Sequence, residues 1–279
     1  MSSVAIFGAG DLGGAIALAL ARRSAFRRIE LIDDNVAVAE GKALDIQQSG
    51  PIERFDTSLS ATADVLAAAG ASVIIVADQF GRGEWEGEGG LALLQKLARA
   101  GTKAPLVFAG PGQTALMETA ARELRIPADR LVGTAGAAVV GAARSLVGIE
   151  VGGSGADVQL TVTGRPPAFV IAWSAATIGG SLVTDRVPAH RLLALSRSLA
   201  SLWPPGPHAI AAATARVAEG LAFGSRRLEQ AVTLLDGEFG LRGMAALMPL
   251  DLGDGRVLRR HMPSLSPQEK TGSGLFSAV

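Results

Sequence analysis

The chain has 279 residues, with 26 basic side chains against 26 acidic ones, three histidines and no cysteine. Balanced charge without a basic run argues against a nucleic-acid partner, and the lack of cysteine excludes disulfides and thiolate metal sites and fits a reducing compartment, with the cytoplasm as the expected location. Met1-Ser2-Ser3 runs directly into the first strand-like segment, leaving no expected signal peptide, and glycine or charge interrupts every long apolar stretch before a membrane span.

In chain order, Val4 to Phe7 is a short apolar run suited to a buried parallel strand, and it enters Gly8-Ala9-Gly10-Asp11-Leu12-Gly13 and a breaker-free helical segment. In that context Gly8 permits the turn, Gly10 lets the backbone approach a pyrophosphate, and Gly13 lets helix and strand pack closely. The N–H groups at the helix start favour an anion. Asp33 ends the next strand 20 residues past Gly13, where an acceptor for a ribose hydroxyl belongs. A carboxylate there repels a 2′-phosphate, so the expected cofactor is NAD rather than NADP, bound through Gly8, Gly10, Asp11, Leu12, Gly13 and Asp33.

Val73 to Val76 reads as a buried strand. Leu91, Leu94 and Leu97 recur at helical spacing before Gly101, and Pro105 to Phe108 gives another strand. Leu116, Ala120 and Leu124 share a helix face that Pro127 terminates, and Leu131-Val132 resumes the sheet. This alternation predicts an α/β fold, a Rossmann-type doubly wound parallel sheet over residues 1–140, followed by a smaller α+β domain over 141–279 for substrate and oligomerisation. In that second part Val158, Leu160 and Val162 alternate with polar residues as in one half-polar strand. Helices are predicted from about Pro188 to Leu202 and His208 to Phe223, strands around Ala231 to Leu235 and Met248 to Leu252, a hairpin turn at Asp254-Gly255, and a short capped helix after Ser266.

Several segments together resemble the lactate/malate dehydrogenase family over nearly the whole chain. Besides the glycine loop and Leu31-Ile32-Asp33, these are Gly41 to Asp45, Arg125 to Thr134, Trp173-Ser174 and Thr233 to Gly240. The resemblance implies a histidine acid/base, an aspartate that orients it, and arginines that bind the substrate carboxylate and polarise its carbonyl. Here Val162 to Phe169 fits the histidine motif with Pro166 at the histidine position, and proline has no titratable group. With one inserted residue, Gly133 to Arg144 places Gly141 at the aspartate and leaves Arg144 as the candidate carboxylate-binding remnant. Gly90 stands at the loop arginine, behind Glu84, Glu86 and Glu88, which would repel a 2-oxo acid, and Gly110-Pro111 replaces an asparagine-proline pair. Asp78 stands at a family glycine, close to where cofactor phosphates would lie.

The resemblance therefore implies an NAD(H)-binding protein with hydride transfer on 2-hydroxy and 2-oxo acids weak or lost, assembling as a homo-oligomer, dimer or tetramer. Two alternatives stand beside it: an active NAD-dependent oxidoreductase on another carbonyl substrate, with water or His208 relaying the proton, and a non-catalytic structural or regulatory partner of a dehydrogenase. No His, Asp or Glu spacing suggests a metal.

Overall fold

Short runs of β-branched and aliphatic residues between glycines and polar turns form the strands of the first half. The computed structural model describes residues 2–272. The elements are β1 (Ser3–Phe7), α1 (Asp11–Arg23), β2 (Arg28–Ile32), α2 (Val36–Glu53), β3 (Ser58–Thr62) and β4 (Val73–Val76), then a small hairpin, β5 (Asp78–Gln79) and β6 (Gly83–Glu84). α3 (Gly87–Arg99), β7 (Leu106–Phe108), α4 (Thr114–Leu124), β8 (Leu131–Gly133) and α5 (Ala135–Glu150) complete this half. The second half supplies β9 (Val158–Gln159), β10 (Val162–Thr163), β11 (Val170–Ile171), β12 (Thr177–Ile178), β13 (Ser181–Leu182), α6 (Ala189–Ala200) and α7 (Pro207–Phe223). β14 (Glu229–Asp236), β15 (Arg242–Gly253), β16 (Arg256–Arg260) and α8 (Pro267–Gly272) follow.

Among the described residues nine strands form one sheet, in the order β16-β15-β14-β8-β7-β4-β1-β2-β3. The run from β3 to β8 is parallel, and β4 lies on the opposite side of β1 from β2. The winding direction reverses between β3 and β4, which opens a crevice at the carboxyl ends of β1 and β4 where such sheets bind ligands. The fold is thus α/β with the parallel sheet inferred from the sequence, and β14 to β16 continue that sheet antiparallel from β8. The domain limit expected at 140/141 falls within α5.

Side-chain alternation explains the layering. Val4 and Ile6 of β1 join Ile16, Leu20, Val217 and Leu221 on one face, while Ala5 and Phe7 join Leu94, Leu97, Met117 and Val139 on the other. A sheet covered on both faces needs near-continuous apolar strands, and Val73 to Val76 are all fully buried.

One local expectation is corrected. Residues 158–163 do not form one strand: β9 pairs with β12 and β10 with β11. The Gln230 side chain on β14 takes the backbone groups between them, accepting from the Val162 N–H at 2.8 Å and donating to the Leu160 carbonyl at 2.8 Å. The polar run Ser58 to Thr62 is a sheet strand that apolar patterning does not reveal, because it occupies the sheet edge beside β2. Trp85 is partly buried and packs against the chain's own core.

Candidate functional site

The turn between β1 and α1 lies over the crevice. Gly8 has a φ of +114°, and a Cβ on it would overlap the Asp78 backbone, while a Cβ on Gly13 would overlap the Gly8 carbonyl. These two glycines set the tight turn and the close helix approach. Gly10 caps α1 without a side chain, so the first N–H groups of the helix need partners from elsewhere. Asp78, two residues past β4, supplies them. Its Oδ1 accepts from the Gly13 N–H at 2.8 Å, its Oδ2 from the Leu12 N–H at 3.2 Å, and its carbonyl from the Gly10 N–H at 2.9 Å. Asp11 points into water, its side chain 99% exposed and 3.7 Å from the Lys42 ammonium. Lys42 Nζ donates to the Gly10 carbonyl at 2.7 Å.

Asp33 is only 3% exposed. Its Oδ2 accepts from the N–H groups of Ala9 at 2.8 Å and Phe80 at 3.1 Å, and its Oδ1 from Asn35 at 2.9 Å, so three donors offset the cost of burying the carboxylate. Phe80 lies in the β5–β6 connection, and the one hairpin therefore reaches both ends of the glycine-loop fingerprint. Arg82, in the same connection, pairs with Asp34 at 3.1 Å. On β6, Glu84 Oε2 accepts from the Gly112 N–H at 2.9 Å. Burial pushes the Glu84 carboxyl above its ordinary range against the lowering effect of that N–H, and nearby Glu86 and Asp78 push it further up. Gln113, fully buried, ties down the hairpin base: its Oε1 accepts from the Gly110 N–H at 3.0 Å, and its Nε2 donates to the carbonyls of Ala77 at 3.0 Å and Trp85 at 3.3 Å.

Residues 2–99 match the model of the lactate/malate dehydrogenase NAD-binding domain. The malate dehydrogenase of Thioalkalivibrio sulfidiphilus is 28% identical, covering 97% of this chain and 94% of that protein. Residues 2–99 thus resemble a lactate/malate dehydrogenase NAD-binding domain, and over nearly its whole length the chain is similar to malate dehydrogenases. A second relative, a malate dehydrogenase of Roseiflexus sp., is 27% identical across 92% of this chain and 89% of that protein. Two solved structures share the fold. The minor L-lactate dehydrogenase of Enterococcus mundtii has a TM-score of 0.88 at 20% identity, and the malate dehydrogenase of Salinibacter ruber 0.87 at 24%, each over 99% of this chain and 94% of that one.

The positions matched to the family's catalytic residues lie apart. Pro166 lines a cavity of about 10 Å³ with Phe108, Gln113, Thr134, Trp203 and Val232. That volume holds no more than about one water. Gly141 and Arg144 line a separate cleft between α5 and α7 of about 460 Å³, in whose wall Pro166 takes no part. The Arg144 guanidinium is spent on carbonyls, donating to Gly155 at 3.2 Å and Ala156 at 3.0 Å. Gly90 faces Leu116 of α4, where even a Cβ would be crowded. His208 is the second residue of α7 and exposed. No carboxylate or imidazole lines the Pro166 cavity, so its lining carries no group that exchanges a proton near pH 7.

The family's NAD-binding domain implies a dinucleotide, and the residues fit it in part. The glycine turn, α1 and the placement of Asp33 match what a dinucleotide needs. The anion donors do not: the N–H groups of Gly10, Leu12 and Gly13 are already held by Asp78, and a Cβ on Gly10 would overlap the Asp78 carboxylate. In this arrangement Asp78 holds the donors that a pyrophosphate would take.

Sequence reasoning missed the β5–β6 hairpin and Gln113. Glycines 81 and 83 between two polar strand ends, with φ of +73° and +80°, were the available signal for the hairpin. Nothing in the sequence marked Gln113, whose burial is purely tertiary.

Proposed function

We propose that this protein is a lactate/malate dehydrogenase family member that recognises NAD(H) through its glycine loop and Asp33, and in which hydride transfer on 2-hydroxy and 2-oxo acids is weak or lost. The observation that carries this reading is Pro166 in the wall of a cavity of about 10 Å³. A side chain without a proton occupies the acid/base position, and the cavity it lines is too small for a 2-oxo acid. Loss of a general acid/base costs roughly 10² to 10⁴ in rate, and a missing carbonyl-polarising cation costs comparable factors, though the two do not simply add.

Supporting the reading further, Arg144 is engaged with backbone carbonyls and Glu84 and Glu86 replace cations near the crevice. Two features belong to the same proposal, a cytoplasmic location and a homo-oligomer. Leu44 and Ile52 on α2 are 58% and 83% exposed, apolar surface that assembly of copies would remove from water. The test is NADH oxidation with oxaloacetate, pyruvate and a panel of other carbonyl compounds. Turnover on a 2-oxo acid at rates ordinary for a dehydrogenase would overturn the reading, and turnover confined to another carbonyl would replace it with an altered oxidoreductase.

A further inference from the structure

A dinucleotide in a crevice of this kind makes two anchoring contacts: its pyrophosphate takes the free N–H groups at the start of the first helix, and its ribose takes the acid ending the second strand. In this chain one hairpin makes both. From Asp78 it presents a carboxylate to the N–H groups of Leu12 and Gly13 and a carbonyl to Gly10. From Phe80 it presents an N–H to Asp33 Oδ2, which already accepts from Ala9. Farther along, Arg82 crosses to Asp34 and Glu84 reaches the Gly112 N–H. The space above Gly10, which lets backbone approach a phosphate in a dinucleotide site, is filled here by the Asp78 carboxylate.

We infer that residues 78–84 form an internal surrogate for the dinucleotide, an autoinhibitory plug that keeps the crevice closed and that NAD(H) must displace in order to bind. The inference rests on the NAD(H) reading above and adds how access to that site is controlled. Both competitors are anions seeking the same donors, so they cannot share them. The cofactor phosphates would also meet the negative charges of Asp78, Glu84 and Glu86 while the hairpin stays in place. Displacement is local, because the hairpin pairs with itself and is not a strand of the main sheet. What holds it down is the set of polar contacts above together with Gln113 at its base.

The experiment compares NADH titrations, followed by cofactor fluorescence, of the full chain and of its Asp78→Ala, Asp78→Asn and Glu84→Gln variants. Amide hydrogen exchange at Leu12 and Gly13 is measured by NMR in each. These two amides precede the first bond within the helix, from Gly14 to Gly10, so their protection reports the Asp78 contacts. The expected result is at least 10-fold tighter NADH binding in Asp78→Ala than in the parent, an intermediate gain in Asp78→Asn, and faster exchange at both amides. Micromolar binding by the parent, unchanged on removing Asp78, would overturn the plug and leave the NAD(H) reading standing. Faster exchange in Asp78→Ala with no binding at millimolar NADH would support the seating of Asp78 and overturn the NAD(H) reading. Unchanged protection would overturn the seating itself. Should Asp78→Ala fail to fold, Asp78→Asn and Glu84→Gln carry the same comparison.

Discussion

On the proposed reading Pro166 stands at the acid/base position, and the other positions assigned to the catalytic set lie away from it. Gly141 lines a different cleft, Gly90 faces α4, and the cavity at Pro166 holds about one water. Pro166→His should therefore leave malate and lactate oxidation near background in a coupled NADH assay, since the imidazole would have neither an orienting carboxylate nor room for substrate. Recovery beyond about 10²-fold from this single change, a general-base-sized gain, would mean that the other losses matter little. Glu84 makes a second residue-level prediction. Burial holds its carboxyl above the ordinary range, with Glu86 and Asp78 facing it. Between the ordinary and the raised value the folded chain binds more protons than the unfolded one, so stability falls as pH rises through that window and the penalty is complete above it. Glu84→Gln keeps an acceptor for the Gly112 N–H and removes the charge. Its melting temperature should exceed the parent's at pH 8 and match it near pH 4, as measured by thermal scans. An equal melting temperature at pH 8 would show that the buried charge carries no net cost.

At the scale of elements, Gln230 joins β14 to the segment between β9 and β10 through the Leu160 carbonyl and the Val162 N–H. Gln230→Leu keeps the bulk and strands both groups, so it should cost about 1–3 kcal/mol in denaturant unfolding. A cost near zero would indicate that water satisfies them. Gly8→Ala should be more damaging, since the residue sits at a φ of +114° against the Asp78 backbone, and loss of soluble protein is the expected readout. These cases also show what the sequence could reveal. Strands made of apolar runs, such as Val73 to Val76, and helices with caps or periodic leucines were legible because local propensity and burial agree there. Ser266 and Glu269 are an instance: each side chain accepts from the other's backbone N–H, at 3.4 Å and 2.7 Å, as a capping box should. The glycine loop and Asp33 were legible too. The split of residues 158–163 and the hairpin over the crevice were hidden because both are set by distant side chains, Gln230 and Gln113, whose bonds leave no local pattern. The acidic composition of residues 84–88 was visible, but its fit to the crevice depends on how β4 ends beside Gly8.

Taken as a whole molecule, the two halves are joined on two levels: β14 pairs with β8 within the sheet, and Ile16 and Leu20 of α1 share a core with Val217 and Leu221 of α7. The chain should therefore unfold in one transition, with far-UV circular dichroism and tryptophan fluorescence superimposing, since Trp85 lies in one half and Trp173 and Trp203 in the other. Two separated midpoints would show halves that fold independently. The contact between Gly10 and Asp78 also restricts how this chain can change over time. A side chain at position 10 would strike the carboxylate, so a larger residue there requires the Asp78 side chain to move or to be shortened. Within such a pair the self-contact by itself favours the glycine, whether or not a nucleotide ever visits, so the glycine signature alone does not report cofactor binding.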